Sequence, residues 1–210
     1  YMLSIYRELL KGFTGLASFD GWMIAKAEFK IIKQTLYIHT KDDNIIERDV
    51  KNKIIKQRKS YAVILAVMVY KDMEYNLIIH LIKPAEINFT KDGFKQVTEI
   101  LPSYADRAVY LYSSAYSKLC IKEFAECTGD SNYIHQLETP VVPGMLMFED
   151  VLENGFCVNN KYSGLECFRI IFRKPVFADE IINLYKTGDN RIFAMPAQGD
   201  KCILWELVLC

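Results

Sequence analysis

Hydrophobic residues recur along the chain with two different spacings. Helical spacing is clear at Met2 to Lys11 and at Met145 to Asn154, and a glycine, Gly12 or Gly155, follows each segment as a predicted stop. Other runs are rich in β-branched and aromatic residues, which is typical of strands. These runs cover residues 24–32, 35–40, 61–70, 76–82, 108–113, 165–173, 180–186, 191–197 and 202–209. The pattern predicts an α+β protein in which many antiparallel strands surround two long helices.

The two helical segments belong to a longer internal match. Moving Met2 onto Met145 superposes residues 2–30 on the C-terminal half without a gap. Identical residues then coincide: Met2, Leu3, Leu9, Gly12, Phe13, Gly21 and Phe29 fall on Met145, Leu146, Leu152, Gly155, Phe156, Gly164 and Phe172. We interpret the chain as two copies of one unit, with residues 1–100 as the N-terminal copy and residues 101–210 as the C-terminal copy.

Candidate chemistry is concentrated in one loop, between a short predicted helix at 122–128 and the second long helix. Residues 129–132 are Gly, Asp, Ser and Asn, which each favour turns. Because a helix rotates by about 100° per residue, Asp130 and His135 can converge only across such a turn. A Pro-Gly pair ending at Gly144 then opens the long helix, whose first N–H groups would point toward the loop. The sequence therefore predicts an acid/base pair beside a site for an oxyanion.

At these residues the chain resembles a known family. Residues 128–135, Thr-Gly-Asp-Ser-Asn-Tyr-Ile-His, are similar to the active-site motif of MaoC-like (R)-specific enoyl-thioester hydratases, which have the hotdog fold. Residues 172–181 are similar to the Phe-Arg-x-Pro-Val-x-x-Gly-Asp strand pair that follows the central helix of hotdog dehydratases. The sequence departs from the family at Tyr133, where the family has Pro, and at Ala178, where the family has Gly.

The interval between His135 and Gly144 resembles a second group of hotdog enzymes, the FabA/FabZ-type 3-hydroxyacyl-carrier-protein dehydratases. Their His is followed by Pro-Val-x-Pro-Gly-x-Leu and then by a helix carboxylate, and here residues 140–146 and Glu149 stand at those places. Both resemblances imply reversible hydration of a 2-enoyl thioester, or dehydration of a (3R)-3-hydroxyacyl thioester, without a cofactor. The substrate would be a thioester of coenzyme A or of an acyl carrier protein.

The family resemblance also implies a double hotdog fold. Two units, each a long helix wrapped by a curled antiparallel sheet, would pack as a pseudo-dimer within one chain, and further homo-oligomers are left open. The counterpart of His135 would fall before Tyr1, so we expect an incomplete N-terminal copy and one active site per chain. The resemblance implies Asp130 and His135 as the catalytic residues. It implies Asn132 and Gly144 as substrate-binding residues, with the Gly144 N–H at the thioester carbonyl.

Glu149 is a second candidate acid. It lies on the same helical face as apolar residues of its helix, so its carboxylate is expected to be buried and to need a partner. In FabA/FabZ-type enzymes the His and the helix carboxylate come from different units, but the N-terminal counterpart of Glu149 is Tyr6. We therefore prefer Asp130 with His135 and expect Glu149 to support the structure or the loop. A thioesterase that uses Glu149, or a non-catalytic acyl-thioester-binding protein, remains as an alternative.

Composition limits the other function classes. Lys plus Arg equals Asp plus Glu at 26 each, so no overall field favours nucleic acid or an anionic membrane. No apolar run approaches membrane-spanning length and no signal-peptide pattern opens the chain, so we expect a cytoplasmic protein. The 6 cysteines include no Cys-x-x-Cys pair, which predicts no metal site.

Two groups of side chains outside the loop have a structural and a functional interpretation. The basic run at 51–59 predicts a solvated hairpin face, and alternatively a surface for coenzyme A phosphates or an acidic acyl carrier protein. The aromatic residues of the N-terminal half predict either ordinary core packing or the wall of an acyl tunnel. They are Phe13, Phe19, Trp22 and Phe29.

Overall fold

The described strands form a 9-stranded antiparallel sheet in the computed structural model of the chain. The structure describes residues 2–14, 19–33, 50–70, 73–83, 101–155, 166–188, 190–199 and 201–209. The strands are β1 (Met23–Lys33), β2 (Val50–Arg58), β3 (Tyr61–Tyr70), β4 (Met73–Ile82), β5 (Val109–Ser114), β6 (Cys167–Phe172), β7 (Ile182–Lys186), β8 (Arg191–Pro196) and β9 (Trp205–Leu209). The helices are α1 (Met2–Thr14), α2 (Lys118–Thr128) and α3 (Gly144–Asp150). None of the helices in these ranges is long and apolar enough to cross a membrane.

The sheet has a mirrored strand order about its centre. The order is β2-β3-β4-β1-β6-β9-β8-β7-β5, and the two middle strands, β1 and β6, pair antiparallel with Phe29 opposite Phe168. Each middle strand follows a helix, α1 before β1 and α3 before β6. This is a hotdog-like α+β architecture. The mirrored order agrees with a tandem repeat, while the division into residues 1–100 and 101–210 stays a prediction.

Apolar residues alternate with outward-facing residues along the strands. Each strand forms because this alternation places its apolar side chains on the face of the sheet that covers the core. In β3 the buried side chains include Ala62, Ile64, Ala66 and Met68, which all point to one face of the sheet. The predicted strand at residues 61–70 has the same ends as β3. Other predicted strands match within a few residues, except that residues 35–40 lie outside the described part of the chain.

Strand β2 is exposed along most of its length at the edge of the sheet. It holds most of the basic run at 51–59, whose residues are all exposed, as the prediction of a solvated hairpin face requires. Apolar alternation is weak in β2, which is why the sequence indicated a hairpin there without defining the strand. Lysines on an edge strand also discourage pairing with another chain.

One helix stop was predicted wrongly. Helix α1 continues through Gly12 to Thr14. A Cβ atom on Gly12 would lie 2.7 Å from Val50 Cγ1 and 2.8 Å from Asn52 Oδ1, so the glycine allows β2 to approach the helix. After α3 the chain widens into a π-helical turn, Val151–Gly155, where Gly155 was the other predicted stop.

Helices α1 and α3 pack against the sheet in a core that contains residues from both halves of the chain. Tyr6 of α1 contacts Phe148 of α3 edge-on, with ring centroids 5.1 Å apart. The ring centroids of Phe148 and Phe168 are 4.0 Å apart, and the Phe168 ring stacks on the Phe29 ring with centroids 5.2 Å apart. Phe29 is therefore a core residue at the centre of the sheet. Buried aromatic contacts of this kind fix the position of α3. The first residue of α3, Gly144, lies in the candidate site.

Candidate active site

Asp130 is placed by the end of helix α2. Gly129 adopts a left-handed conformation with φ 72°, which favours glycine because it has no Cβ atom. The N–H of Asp130 donates to the carbonyl oxygen of Ala125 at 2.8 Å, closing the last helical turn. Asp130 Oδ1 then accepts the N–H of Asn132 at 3.0 Å, which forms an Asx turn at the place where a turn was predicted. The Gly-Asp-Ser-Asn stretch is thus a tight turn that leaves the second carboxylate oxygen, Oδ2, for other contacts.

His135 lies on a short 3-10 turn, Tyr133–His135, directly after that loop. Its Nδ1 is 2.7 Å from the carbonyl oxygen of Val141. A carbonyl can only accept, so Nδ1 carries a proton and donates it, and in the neutral ring Nε2 is the acceptor. Nε2 faces Asp130 Oδ2 at 3.4 Å, and only 7% of the His135 side chain is exposed. The structure therefore brings Asp130 and His135 together, as the turn predicted.

The separation of these two atoms has a chemical meaning. It exceeds the usual N–H···O range of about 2.7–3.2 Å. Two acceptors facing each other across such a gap are best satisfied by a group that donates to both. A water molecule, or a hydroxyl group on a substrate, has that property.

Asp130 is ionised at neutral pH. Burial alone would raise the pKa of Asp130. The facing His135, when its Nε2 carries a proton, and the N–H of Asn132 outweigh that effect and hold the pKa of Asp130 below its ordinary value. The carboxylate is therefore a permanent negative charge beside the imidazole. It faces Nε2, the ring nitrogen that is not bonded to the Val141 carbonyl.

A second stretch of backbone fixes both His135 and the start of α3. Residues 140–142 run beside residues 176–178: the Val142 N–H donates to the Val176 carbonyl at 2.8 Å, and the Ala178 N–H donates to the Pro140 carbonyl at 2.9 Å. Val141, whose carbonyl holds His135, forms a bridge with Phe177. The departure at Ala178 is tolerated because the left-handed residue of this turn is Asp179, with φ 62°.

Gly144 is the first residue of α3, and a side chain would not fit there. A Cβ atom would lie 2.6 Å from Cζ of the Phe172 ring on β6. The first N–H groups of a helix have no partner within the helix and carry partial positive charge. Gly144 lines the same cavity as Asp130 and His135. The structure thus brings the predicted N–H donor into one space with the acid/base pair.

That cavity has a volume of about 290 Å³ and crosses from the C-terminal into the N-terminal half. Its polar lining includes Asp130, Asn132, His135 and Gly144. Its other walls are largely apolar. They include Leu10, Phe13, Phe19, Trp22, Ile64 and Ile79. Three of the four aromatic residues proposed for an acyl tunnel therefore line the cavity, whereas Phe29 lies in the core.

Asn132 has contacts that the sequence did not reveal. Its Oδ1 accepts the N–H of Gly21 at 2.9 Å, and its Nδ2 donates to the carbonyl of Trp22 at 2.8 Å. Nearby, Asp20 Oδ1 accepts the N–H of Tyr133 at 3.1 Å. These contacts join residues more than a hundred positions apart in sequence, which no local pattern signals. The role of Asn132 as a substrate ligand stays a prediction.

Glu149 lies apart from the acid/base pair. Its carboxylate receives two hydrogen bonds from Arg7, Nε to Oε1 at 2.9 Å and Nη2 to Oε2 at 2.8 Å. In the described part of the chain Glu149 lines a different cavity, together with Arg7, Cys120 and Cys127. The buried carboxylate has the partner that its burial required. Among the described residues, no three His, Cys, Asp or Glu side chains are grouped to hold a metal ion.

No family model matches the sequence, and no curated protein matches it. Among solved structures, HtdX from Mycobacterium tuberculosis matches with a TM-score of 0.56 and 12% identity, over 96% of this chain and 84% of HtdX. A MaoC-like dehydratase from Phytophthora capsici matches with a TM-score of 0.55 and 13% identity, over 90% of this chain and 69% of that one.

A structure described as an oleoyl thioesterase, from Lactobacillus plantarum, is also similar. Its TM-score is 0.53 at 8% identity, over 95% of this chain and 81% of that one. At such identities a match concerns the fold and leaves the reaction open. The resemblance seen in residues 128–135 is confirmed at that level: the chain has the hotdog-like α+β fold of the MaoC-like dehydratase structures.

Proposed function

We propose that the protein adds water reversibly to the C2–C3 double bond of a 2-enoyl thioester and so forms a (3R)-3-hydroxyacyl thioester. The observation that carries this proposal is the Asp130–His135 pair in one cavity with the first residue of α3. Apart from Tyr133, the residue types and their order resemble the MaoC-like motif. Their geometry suits a water that lies beside the pair and donates a hydrogen bond to each acceptor.

In the hydration direction, Asp130 Oδ2 and His135 Nε2 hold the water beside C3 of the substrate. The water oxygen bonds to C3, Nε2 takes the released proton, and the double-bond electrons move toward the thioester carbonyl. The ionised Asp130 stabilises the imidazolium that forms, while Nδ1 stays bonded to Val141. The imidazolium Nε2 then gives its proton to C2 of the enolate on the same side of the site, which restores the neutral imidazole. A positioned acid/base group of this kind contributes roughly 10²–10⁴-fold to a rate.

The thioester carbonyl would lie at the start of α3. There the Gly144 N–H donates to the oxygen on which negative charge develops, and an oxyanion donor of this kind contributes roughly 10²–10³-fold. The close contact between Gly144 and Phe172 holds the N–H in place. Elimination of water from the hydroxyacyl thioester follows the same steps in reverse.

The rest of the substrate follows the walls of the cavity. The acyl chain extends toward Phe13, Phe19 and Trp22, whose apolar side chains favour a hydrocarbon. Lys174 also lines the cavity and supplies positive charge for an anionic carrier, either coenzyme A or an acyl carrier protein. The intrachain pseudo-dimer and the cytoplasmic location stay predictions.

The test is the ultraviolet absorbance of crotonyl-CoA and of longer trans-2-enoyl-CoA after mixing with the protein, with free thiol measured in parallel. We expect the absorbance to decay with wild type and with Glu149→Gln, and to persist with Asp130→Asn and His135→Ala, without thiol release. Release of thiol that depends on Glu149 would replace the proposal with a thioesterase. Binding without turnover of either CoA or carrier-protein thioesters would leave an acyl-thioester-binding protein.

A further inference from the structure

We infer that Asn132 is a positioning residue: its carboxamide fastens the loop that carries Asp130 and His135 to a turn of the N-terminal half at Gly21 and Trp22. The inference rests on the proposed function, because it concerns how the same pair is held. We call the three hydrogen bonds between residues 20–22 and residues 132–133 the latch.

Both polar atoms of the Asn132 carboxamide form hydrogen bonds with the N-terminal turn. Oδ1 accepts from the Gly21 N–H at 2.9 Å, and Nδ2 donates to the Trp22 carbonyl at 2.8 Å. One donor and one acceptor on the same rigid plane fix the orientation as well as the position of the loop. An aspartate would keep the acceptor but would set a second acceptor against the Trp22 carbonyl. The geometry therefore requires an amide on a side chain of this length.

The N-terminal turn is shaped to receive the loop. Gly21 has φ +77°, a conformation that side chains rarely adopt, and a Cβ atom there would lie 2.7 Å from the ring of Tyr133. Asp20 adds the third hydrogen bond of the latch by accepting the Tyr133 N–H at 3.1 Å. Thus both backbone conformation and side-chain chemistry of residues 20–22 fit residues 132–133.

The backbone of Asn132 transmits the latch to both members of the acid/base pair. Its N–H donates to Asp130 Oδ1 at 3.0 Å, and its carbonyl accepts the N–H of His135 at 3.1 Å. A shift of Asn132 therefore moves the carboxylate and the imidazole relative to each other. A misplacement of about 1 Å can cost on the order of 10²-fold in rate.

The latch also gives the N-terminal half a part in the reaction. Asp20 and Trp22 line the cavity beside Asp130 and His135. The same turn therefore shapes the acyl wall and aligns the reacting groups. The substrate would therefore bind against a turn whose position also sets the positions of Asp130 and His135.

The experiment compares Asn132→Ala, Gly21→Ala and the double variant in hydration of crotonyl-CoA. We expect each single variant to lose on the order of 10²-fold in kcat with little change in KM, because the pair is misaligned while the acyl wall remains. The double variant should lose no more than either single variant, since both break the same contact. Asn132→Asp should be no better than Asn132→Ala.

The matched control is Asn76→Ala. Asn76 is half-buried on β4, and its carboxamide donates to Glu74 at 2.7 Å, outside the cavity lining. It should keep wild-type kcat. Unfolding temperatures of all variants show whether they fold, and if Gly21→Ala does not, Asp20→Ala breaks the latch from the same turn.

A second readout is independent of catalysis. Hydrogen exchange should find the Gly21 amide protected in wild type and in Asn76→Ala, and unprotected in Asn132→Ala. Absence of turnover in wild type would defeat the proposed function, while this measurement would still decide whether the latch exists. The inference would be overturned if Asn132→Ala kept the protection of the Gly21 amide or kept wild-type kcat. It would also be overturned if Asn132→Ala raised KM alone, or if the losses in the double variant were additive.

Discussion

Replacing Arg7 with Met should destabilise the protein and leave its chemistry intact. The guanidinium of Arg7 is the bidentate partner of Glu149, whose side chain is only 5% exposed. The methionine keeps the apolar stem of the arginine and its helix propensity. What it removes is the positive charge, so the Glu149 carboxylate remains buried without a cation.

The expected cost follows from the burial of the two partners. Breaking a fully buried ion pair costs about 3–5 kcal/mol, whereas exposed pairs contribute about 0–1 kcal/mol. Because 39% of the Arg7 side chain is exposed and water screens part of the interaction, we expect an intermediate value of about 2 kcal/mol. For a chain of this length that corresponds to a fall in Tm of roughly 4–8 °C. Adding Glu149→Gln should restore part of the loss, because the buried charge is then gone.

The assay combines thermal and urea unfolding, followed by circular dichroism, with kcat/KM for enoyl-CoA hydration. Lys11→Met is the matched control: Lys11 lies on the same helix and pairs with Glu8 on the surface, so its loss should change stability by less than about 0.5 kcal/mol. Wild-type stability in Arg7→Met would refute the argument from burial. Lost turnover in a stable Glu149→Gln protein would show that this carboxylate takes part in the reaction.

Three further predictions concern single residues. Gly144→Ala should lower kcat and cost about 1–3 kcal/mol, because the added methyl collides with the Phe172 ring; unfolding and turnover are measured together. Glu206→Gln should cost about 1.5–3 kcal/mol in urea unfolding, because this buried carboxylate accepts hydrogen bonds from one tyrosine and two arginines. Burial, and next the charge of Lys26, lower the pKa of His80, so the unfolded chain takes up that proton more readily. The free energy of unfolding should therefore fall as pH drops through about 6.5, and fall less in His80→Gln.

Each of these predictions has its own control. Gly188→Ala introduces the same methyl where no heavy atom lies within 4 Å, so it should be harmless. Glu126→Gln removes an exposed partner of Lys122 and should leave stability nearly unchanged. Equal losses in a variant and in its control would contradict the contact invoked. A pH dependence that is the same in wild type and in His80→Gln would contradict the argument from its pKa.

Local patterns were sufficient for the parts of the site that are continuous in sequence. The turn at 129–132 was predictable because its four residues favour turns, and it alone could bring Asp130 and His135 together. Strand β3 was predictable because apolar side chains fill its inward face. In each case a short segment contains all the information that its conformation needs.

The remaining features depend on partners far away in sequence. Gly12 was expected to end a helix. In the structure it lies within α1, and its lack of a side chain lets β2 come close to the helix. The need of Glu149 for a partner was predictable, but its identity as Arg7 was not, since the two residues are 142 positions apart. The same applies to Asn132, whose carboxamide meets backbone groups of the other half.

The pairing of β1 with β6 in the middle of the sheet has a consequence for synthesis in the cell. Residues as distant in sequence as Lys26 and Ile171 face each other across this junction. A ribosome therefore releases β1 with one edge unsatisfied, and that edge stays open until β6 has emerged. Open strand edges recruit other chains, so polysomes that carry several nascent copies are the setting in which aggregation should begin. Translation speed between these two strands then becomes a determinant of yield.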